Sequence, residues 1–97
     1  MKITVLEEAG SEFAAAVAYY DTREAGLGRR FEDEIDRTVA EHPNVCQLRR
    51  GIYRRMNLQI FPYYIPYIVR ESTLWVVAIA HSRRRPEYWI RRATHID

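Results

Sequence analysis

A chain of 97 residues can build one modest core and has little room for a second, so a single domain over 1–97 is expected. An apolar fraction of 47% argues against disorder, and a lone cysteine, Cys46, excludes an internal disulfide framework and points to a reducing compartment, the cytoplasm. The net charge of +2 hides an asymmetry: residues 1–48 carry five basic residues against ten acids, residues 49–97 carry ten against three, and fourteen of the fifteen basic residues are arginine.

Lys2 to Leu6 is short and β-branched, which predicts a strand. Glu7 and Glu8 follow before an apolar leader could form, and the longest apolar run, Leu74 to Ala80, is too short to cross a bilayer. Neither secretion nor a membrane partner is therefore expected. From Glu7 to Glu24, Phe13, Val17 and Tyr20 recur at helical spacing among alanines, with Ser11 as a candidate cap. Gly26-Leu27-Gly28 breaks that helix. Leu27, Phe31, Ile35 and Val39 then step by four along a second helix, roughly Arg29 to Glu41, which Pro43 ends. Arg29/Asp33, Arg30/Glu34 and Arg37/Glu41 are spaced as pairs on its wet side. The two helices make an α-hairpin.

Strands follow. Tyr53 to Leu58 is a short one. Phe61, Tyr63, Ile65, Tyr67 and Val69 alternate through the next, so one face is buried and Tyr64, of opposite parity, becomes the candidate functional tyrosine. Pro66 inside this strand cannot donate to a ladder and requires an edge, a bulge or an unpaired N–H. Arg70-Glu71-Ser72-Thr73 reads as a polar hairpin turn. Leu74 to Ala80, with Trp75 in it, is continuously apolar and predicts a central strand covered on both faces. Residues 83–97 are basic and aromatic, with room for one helical turn. The order β-α-α-β-β-β predicts an α+β fold, an antiparallel sheet with the N-terminal α-hairpin packed on one face.

Guanidinium forks suit phosphate and carboxylate, so the arginine-rich half suits nucleic acid or an acidic protein segment. Codon bias would enrich arginine throughout the chain but would not gather it in one half. His42, His81 and His95 are scattered beside one cysteine, and there is no Gly-rich phosphate loop and no Ser-His-Asp signature. No metal and no cofactor are expected.

Several local features occur together. Ala18-Tyr19-Tyr20-Asp21 and Gly26-Leu27-Gly28-Arg29-Arg30-Phe31 mark the helix pair. Gly51-Ile52-Tyr53-Arg54-Arg55 and Phe61-Pro62-Tyr63-Tyr64-Ile65 with Tyr67 come next. Ala78-Ile79-Ala80-His81 then runs into Arg83-Arg84, Pro86 and Tyr88-Trp89. Their order and spacing resemble the RelE/ParE toxin superfamily from about Val5 to Arg92, and its ParE-like, plasmid-stabilisation branch in particular. The resemblance implies the toxin of a bacterial type II toxin–antitoxin module. Such a toxin is cytoplasmic, arrests growth, and is held inactive in a hetero-oligomer by a cognate antitoxin. ParE-like members poison DNA gyrase, whereas RelE-like members cut mRNA on the ribosome, so the shared fold leaves the target open.

Metal-independent RNA cleavage needs proton transfer at the 2′-hydroxyl and the leaving oxygen, and cations on the phosphorane. The resemblance places Arg84 on the arginine after the last strand, Arg54 and Arg55 near the basic pair of the second strand, and Tyr88 near a C-terminal tyrosine. Tyr64 stands where a third-strand arginine is expected. Arginine is a poor general base, which leaves His81 or Tyr88 for proton transfer. These departures favour a gyrase-directed toxin whose Arg54, Arg55, Tyr64, Arg83, Arg84, Arg85 and Trp89 bind antitoxin or target. A non-toxic antitoxin-binding homologue is the third reading. Plainer roles are a strand-end filler for His81, a solvated turn for Arg83–Arg85, core packing for Tyr53, Tyr63, Tyr67 and Trp75, and solubility for the helix acids.

Overall fold

The computed structural model describes residues 2–41 and 53–95. Along the chain these form β1 (Lys2–Val5), α1 (Glu7–Arg23), α2 (Leu27–Ala40), β2 (Arg54–Asn57), β3 (Tyr63–Arg70), β4 (Thr73–Val76), β5 (Ala80–His81) and a closing 3-10 helix (Ile90–His95). The expected helix stop at Pro43, the lone cysteine Cys46 and the Gly51-Ile52 pair lie outside the described residues.

α1 starts at Glu7 rather than at Ser11, and no side chain caps it. Glu7 and Glu8 in its first turn face the positive end of the helix dipole. The hairpin is held close at Gly28, where a Cβ would lie 2.5 Å from the Val17 carbonyl oxygen. The Gly28 N–H donates to the Asp21 carboxylate at 2.8 Å. Only glycine permits this approach. On α2, Phe31 and Ile35 are buried, with Leu27 and Val39 packed against the same cluster, as the four-residue stepping predicts. The Phe31 ring meets Tyr20, Phe61 and Tyr63 at centroid distances of 5.4, 5.1 and 4.9 Å.

The strand order is β1-β4-β3-β2, with β5 also paired to β3. β2, β3 and β4 are antiparallel, as expected. β1 adds to the outer edge in parallel with β4, Ile3 opposite Leu74. Parallel neighbours need a long crossover, and the α-hairpin with β2 and β3 supplies it. The β3–β4 turn places Glu71 and Ser72 at φ 49° and 64°. Two left-handed residues in succession match the twist of a two-residue hairpin. Trp75, expected in the core, is half-buried, while its neighbours Leu74 and Val76 are buried.

Two expectations are corrected. The first concerns Glu34, taken as a partner for Arg30 on the solvated face of α2. Arg29–Asp33 does form there, at 3.2 Å, but Glu34 is 4% exposed and turns to the β2–β3 loop. It accepts the N–H groups of Gln59 at 2.9 Å, Ile60 at 3.0 Å and Phe61 at 3.3 Å. Three successive backbone donors that leave the ladder need acceptors, and one carboxylate serves all three.

The second concerns the run Leu74 to Ala80, which is buried as predicted but is two strands rather than one. Tyr67 pairs with Val76, and Tyr64 pairs with Ala80. Between these pairs Ile65 and Pro66 face the three residues Val77, Ala78 and Ile79, so the run carries a one-residue bulge. Pro66 explains the place. Its carbonyl accepts the Val77 N–H at 2.9 Å. In an antiparallel ladder residue 66 would return its own N–H to the Val77 carbonyl, and proline has none. Arg92 fills that position, its Nη1 donating to the Val77 carbonyl at 3.2 Å. The Ile79 N–H, freed by the bulge, donates to the Glu12 carboxylate at 3.1 Å.

Glu34→Ala should lower stability by about 2–3 kcal/mol, since the charged acceptor of three N–H groups is lost. Urea unfolding checks it, and Glu34→Gln should cost less because one acceptor oxygen remains. Arg92→Met should also destabilise, by roughly 2 kcal/mol, and should cost less in a Pro66→Val background where the strand N–H returns. Strict additivity in that double-mutant cycle would refute the substitution of Arg92 for the missing donor.

Candidate functional site

The chain leaves β5 through a series of tight turns. The Ser82 N–H bonds the Pro62 carbonyl at 2.8 Å, and the Arg84 N–H bonds the His81 carbonyl at 3.1 Å. The Arg83 N–H donates to His81 Nδ1 at 3.0 Å. That bond leaves Nε2 to carry the proton of the neutral ring, and the Tyr63 ring packs on the imidazole at 4.9 Å. Arg83, Arg84 and Arg85 are exposed, Tyr88 is half-buried and Trp89 is buried.

Glu12 holds this segment down from α1. Its side chain is 15% exposed. Its carboxylate accepts from Tyr88 Oη at 2.6 Å, from Arg92 Nη1 and Nη2 at 2.9 and 3.0 Å, and from Arg84 Nη1 at 3.3 Å. The Arg84 guanidinium also lies 3.7 Å over the Tyr88 ring. Burial by itself would raise the Glu12 carboxyl, but the bonds from Arg92, Tyr88 and the Ile79 N–H outweigh it and hold the group below its usual range. The Tyr88 hydroxyl is pushed up by burial and by the Glu12 carboxylate that it serves. Burial beside Tyr20 pushes Tyr63 up to about 12.

Most of the anticipated site residues fall into two clefts that share none of their lining, and the exposed Arg83 and Arg85 line neither. One, about 200 Å³, brings His81 and Arg84 together with Glu12, Tyr19 and Tyr63. The other, about 270 Å³, gathers Tyr53, Arg54, Arg55, Tyr64, Pro86, Glu87 and Trp89. Arg54 and Arg55 are thus not brought to His81 and Arg84. Tyr88 belongs to neither lining, and its hydroxyl is spent on Glu12. A third cleft of about 390 Å³ runs beside β1 and is lined by Ile3, Val5, Phe13, Val39 and neighbouring apolar groups. None of the anticipated site residues is in it.

Tyr64 and Trp89 need correction. Tyr64 does face away from the α-hairpin, as its parity predicts, but that face is not open. Tyr64 and Trp89, each 6% exposed, pack with Val77, Ala78 and Ala80, and the Trp89 indole N–H donates to Tyr64 Oη at 3.1 Å. The returning C-terminal segment covers the second face of the sheet, so both aromatics are chiefly core. Arg55 sits 3.8 Å over the Tyr64 ring and bonds Asn57 through Nε at 3.0 Å. The sequence reading misses Glu12, grouped with the helix acids as a solubility feature, and Arg92, which it leaves within the basic and aromatic segment 83–97 without a role of its own. Helical spacing carried a signal for Glu12, which lies three residues after the buried Ala9 and four before the buried Ala16.

No protein-family model and no curated protein matches the sequence. Among solved structures, the chain is similar to one of the chromosomal ParDE TA system from P. aeruginosa. The identity is 16%, the match covers 84% of this chain and 95% of that one, and the TM-score is 0.71. At that identity the likeness establishes a shared fold.

A carboxyl held low in the folded state adds stability that is full above the ordinary glutamate value, about 4.3, and is lost as pH falls through the folded value. Glu12→Gln should therefore lower stability near neutrality by roughly 2 kcal/mol. Denaturant midpoints measured from neutrality into that acid range should show the deficit shrinking as pH falls. A deficit independent of pH would mean that Glu12 acts by packing alone.

Proposed function

We propose that this chain is the toxin of a type II toxin–antitoxin module, a ParE-like growth inhibitor that acts in the cytoplasm by binding protein, with DNA gyrase as its target. A cognate antitoxin is its resting partner, in a hetero-oligomer. The observation that carries this reading is the fold shared with the ParDE chain across most of both lengths. Toxin–antitoxin modules are what that neighbour's name denotes, and the sequence motifs resemble the same superfamily.

The choice of a binding toxin over a ribonuclease rests on the division of the arginines. RNA cleavage needs phosphate cations and proton-transfer groups around one phosphate. Arg54 and Arg55 line a different cleft from His81 and Arg84, and the Tyr88 hydroxyl is bonded to a carboxylate and pushed up by burial and by that carboxylate. A protein-binding inhibitor needs no such convergence. It needs exposed charge on a rigid support, and the exposed Arg83–Arg85 turn, fixed through Glu12, supplies that. Among the described residues no helix is long and apolar enough to cross a membrane.

Induced expression in bacteria should arrest growth, and co-expression of a neighbouring antitoxin gene should restore it. Purified protein should inhibit gyrase supercoiling while mRNA 5′ ends mapped after induction stay unchanged. New mRNA ends in the reading frame, lost in the His81→Ala/Arg84→Ala variant, would instead establish a ribosome-dependent endoribonuclease. Unchanged growth would leave a non-toxic antitoxin-binding homologue.

A further inference from the structure

The cleft on the second face of the sheet has a specific and unbalanced chemistry. Its aromatic polar atoms are already engaged: the Tyr53 hydroxyl donates to the Ile90 carbonyl at 2.7 Å, and the Trp89 N–H donates to Tyr64. What these rings still expose to the cleft, the half-buried Tyr53 most of all and the edges of the buried Tyr64 and Trp89, is therefore carbon. The cleft is also lined by the exposed cations Arg54 and Arg55 and by the exposed acid Glu87. Among the described residues neither Arg54 nor Glu87 makes an ion pair. Glu87 is also held at φ 60°, a left-handed conformation unfavourable for a non-glycine residue, and such residues gather at working sites.

We infer that this cleft is a docking site for a partner peptide segment of mixed charge: an acidic residue for Arg54 and Arg55, an apolar side chain for the Trp89–Pro86 wall, and a basic residue for Glu87. The occupant is a protein segment rather than RNA. A nucleic-acid strand offers bases to the rings and phosphates to the arginines, but it carries no cation for Glu87, and each phosphate near that acid is repelled. A polypeptide supplies both signs within a few residues. Exposed charges of this kind fix register and reject wrong partners, while the apolar wall excludes water. The inference deepens the toxin reading by naming the chemistry of its antitoxin or target, and it rests on that reading only for the partner's biological identity.

The test uses the full-length chain in a Trp75→Phe background, so that Trp89 is the only indole reporter. The probe is a short synthetic peptide in which two aspartates precede a leucine and a lysine. Titration should change Trp89 emission, and replacing both aspartates by asparagine should weaken binding at least about tenfold. Arg54→Gln/Arg55→Gln should weaken the parent peptide to a similar degree. Far-UV circular dichroism verifies folding, which these exposed positions should not disturb. Glu87→Lys should weaken the parent peptide and restore a peptide whose lysine is replaced by glutamate. No emission change, equal affinity for the asparagine peptide, or absence of the Glu87→Lys rescue overturns the proposal. So does single-stranded oligouridylate binding more tightly than the peptide with the same arginine dependence. Growth arrest is an independent readout, so a non-toxic chain that still shows the charge swap would sink the toxin reading and leave the docking site standing.

Discussion

The rest of the sheet depends on one absent hydrogen, the N–H that Pro66 lacks. In an ordinary ladder Pro66 and Val77 would exchange two bonds, and here only the Val77 N–H to Pro66 carbonyl bond exists. A buried carbonyl left without a donor is costly, so the Val77 oxygen takes its hydrogen from Arg92. An arginine brought against the sheet needs a counter-charge, and Glu12 provides it from the facing helix. The same carboxylate takes the Ile79 N–H that the adjacent bulge releases. Proline, bulge, arginine and glutamate form one solution to one deficit. Through it the C-terminal segment is tied to both the sheet and α1.

Glu34 repeats the device on α2. Each helix of the hairpin turns one carboxylate inward, and each carboxylate ends backbone donors where the sheet is irregular: Glu34 at the β2–β3 loop, Glu12 at the β4–β5 bulge. The hairpin thus does more than cover an apolar face. Its apolar stripe supplies undirected burial, worth about 1.5–3 kcal/mol for each large side chain, and its two acids fix how the irregular segments lie beneath it. Gly28 keeps the two helices close enough for both to reach.

Periodicity made the elements legible because burial of a helix stripe or a strand face is a local property of the sequence. Phe31, Ile35, Ile65 and Tyr67 lie where their spacing puts them, and the difficulty at Pro66 could be foreseen from proline chemistry alone. Its resolution could not, because Arg92 lies twenty-six residues further along the chain and nothing local says that its charge is spent indoors. Tyr64 was misjudged for a related reason. Alternation tells which face a residue takes, but not whether a later segment covers that face, and here Trp89 does. Glu12 and Glu34 were misread because acids on helices are usually solvated, although both sit at the spacing of buried neighbours.

That covering segment sorts the arginines into different kinds. Arg92 is committed to the fold, and Arg84 is partly so, with one bond to Glu12 and one face on Tyr88. Arg83 and Arg85 make no ion pair among the described residues, and Arg54 and Arg55 line one cleft together with Glu87. A count of basic residues treats all of these as equal. Geometry separates them by what each guanidinium already touches. The charges still open to a partner are those that the Pro66 deficit did not draw inward. Arg54 and Arg55 line a different cleft from His81 and Arg84, which suits recognition of an extended protein partner better than chemistry at a single phosphate.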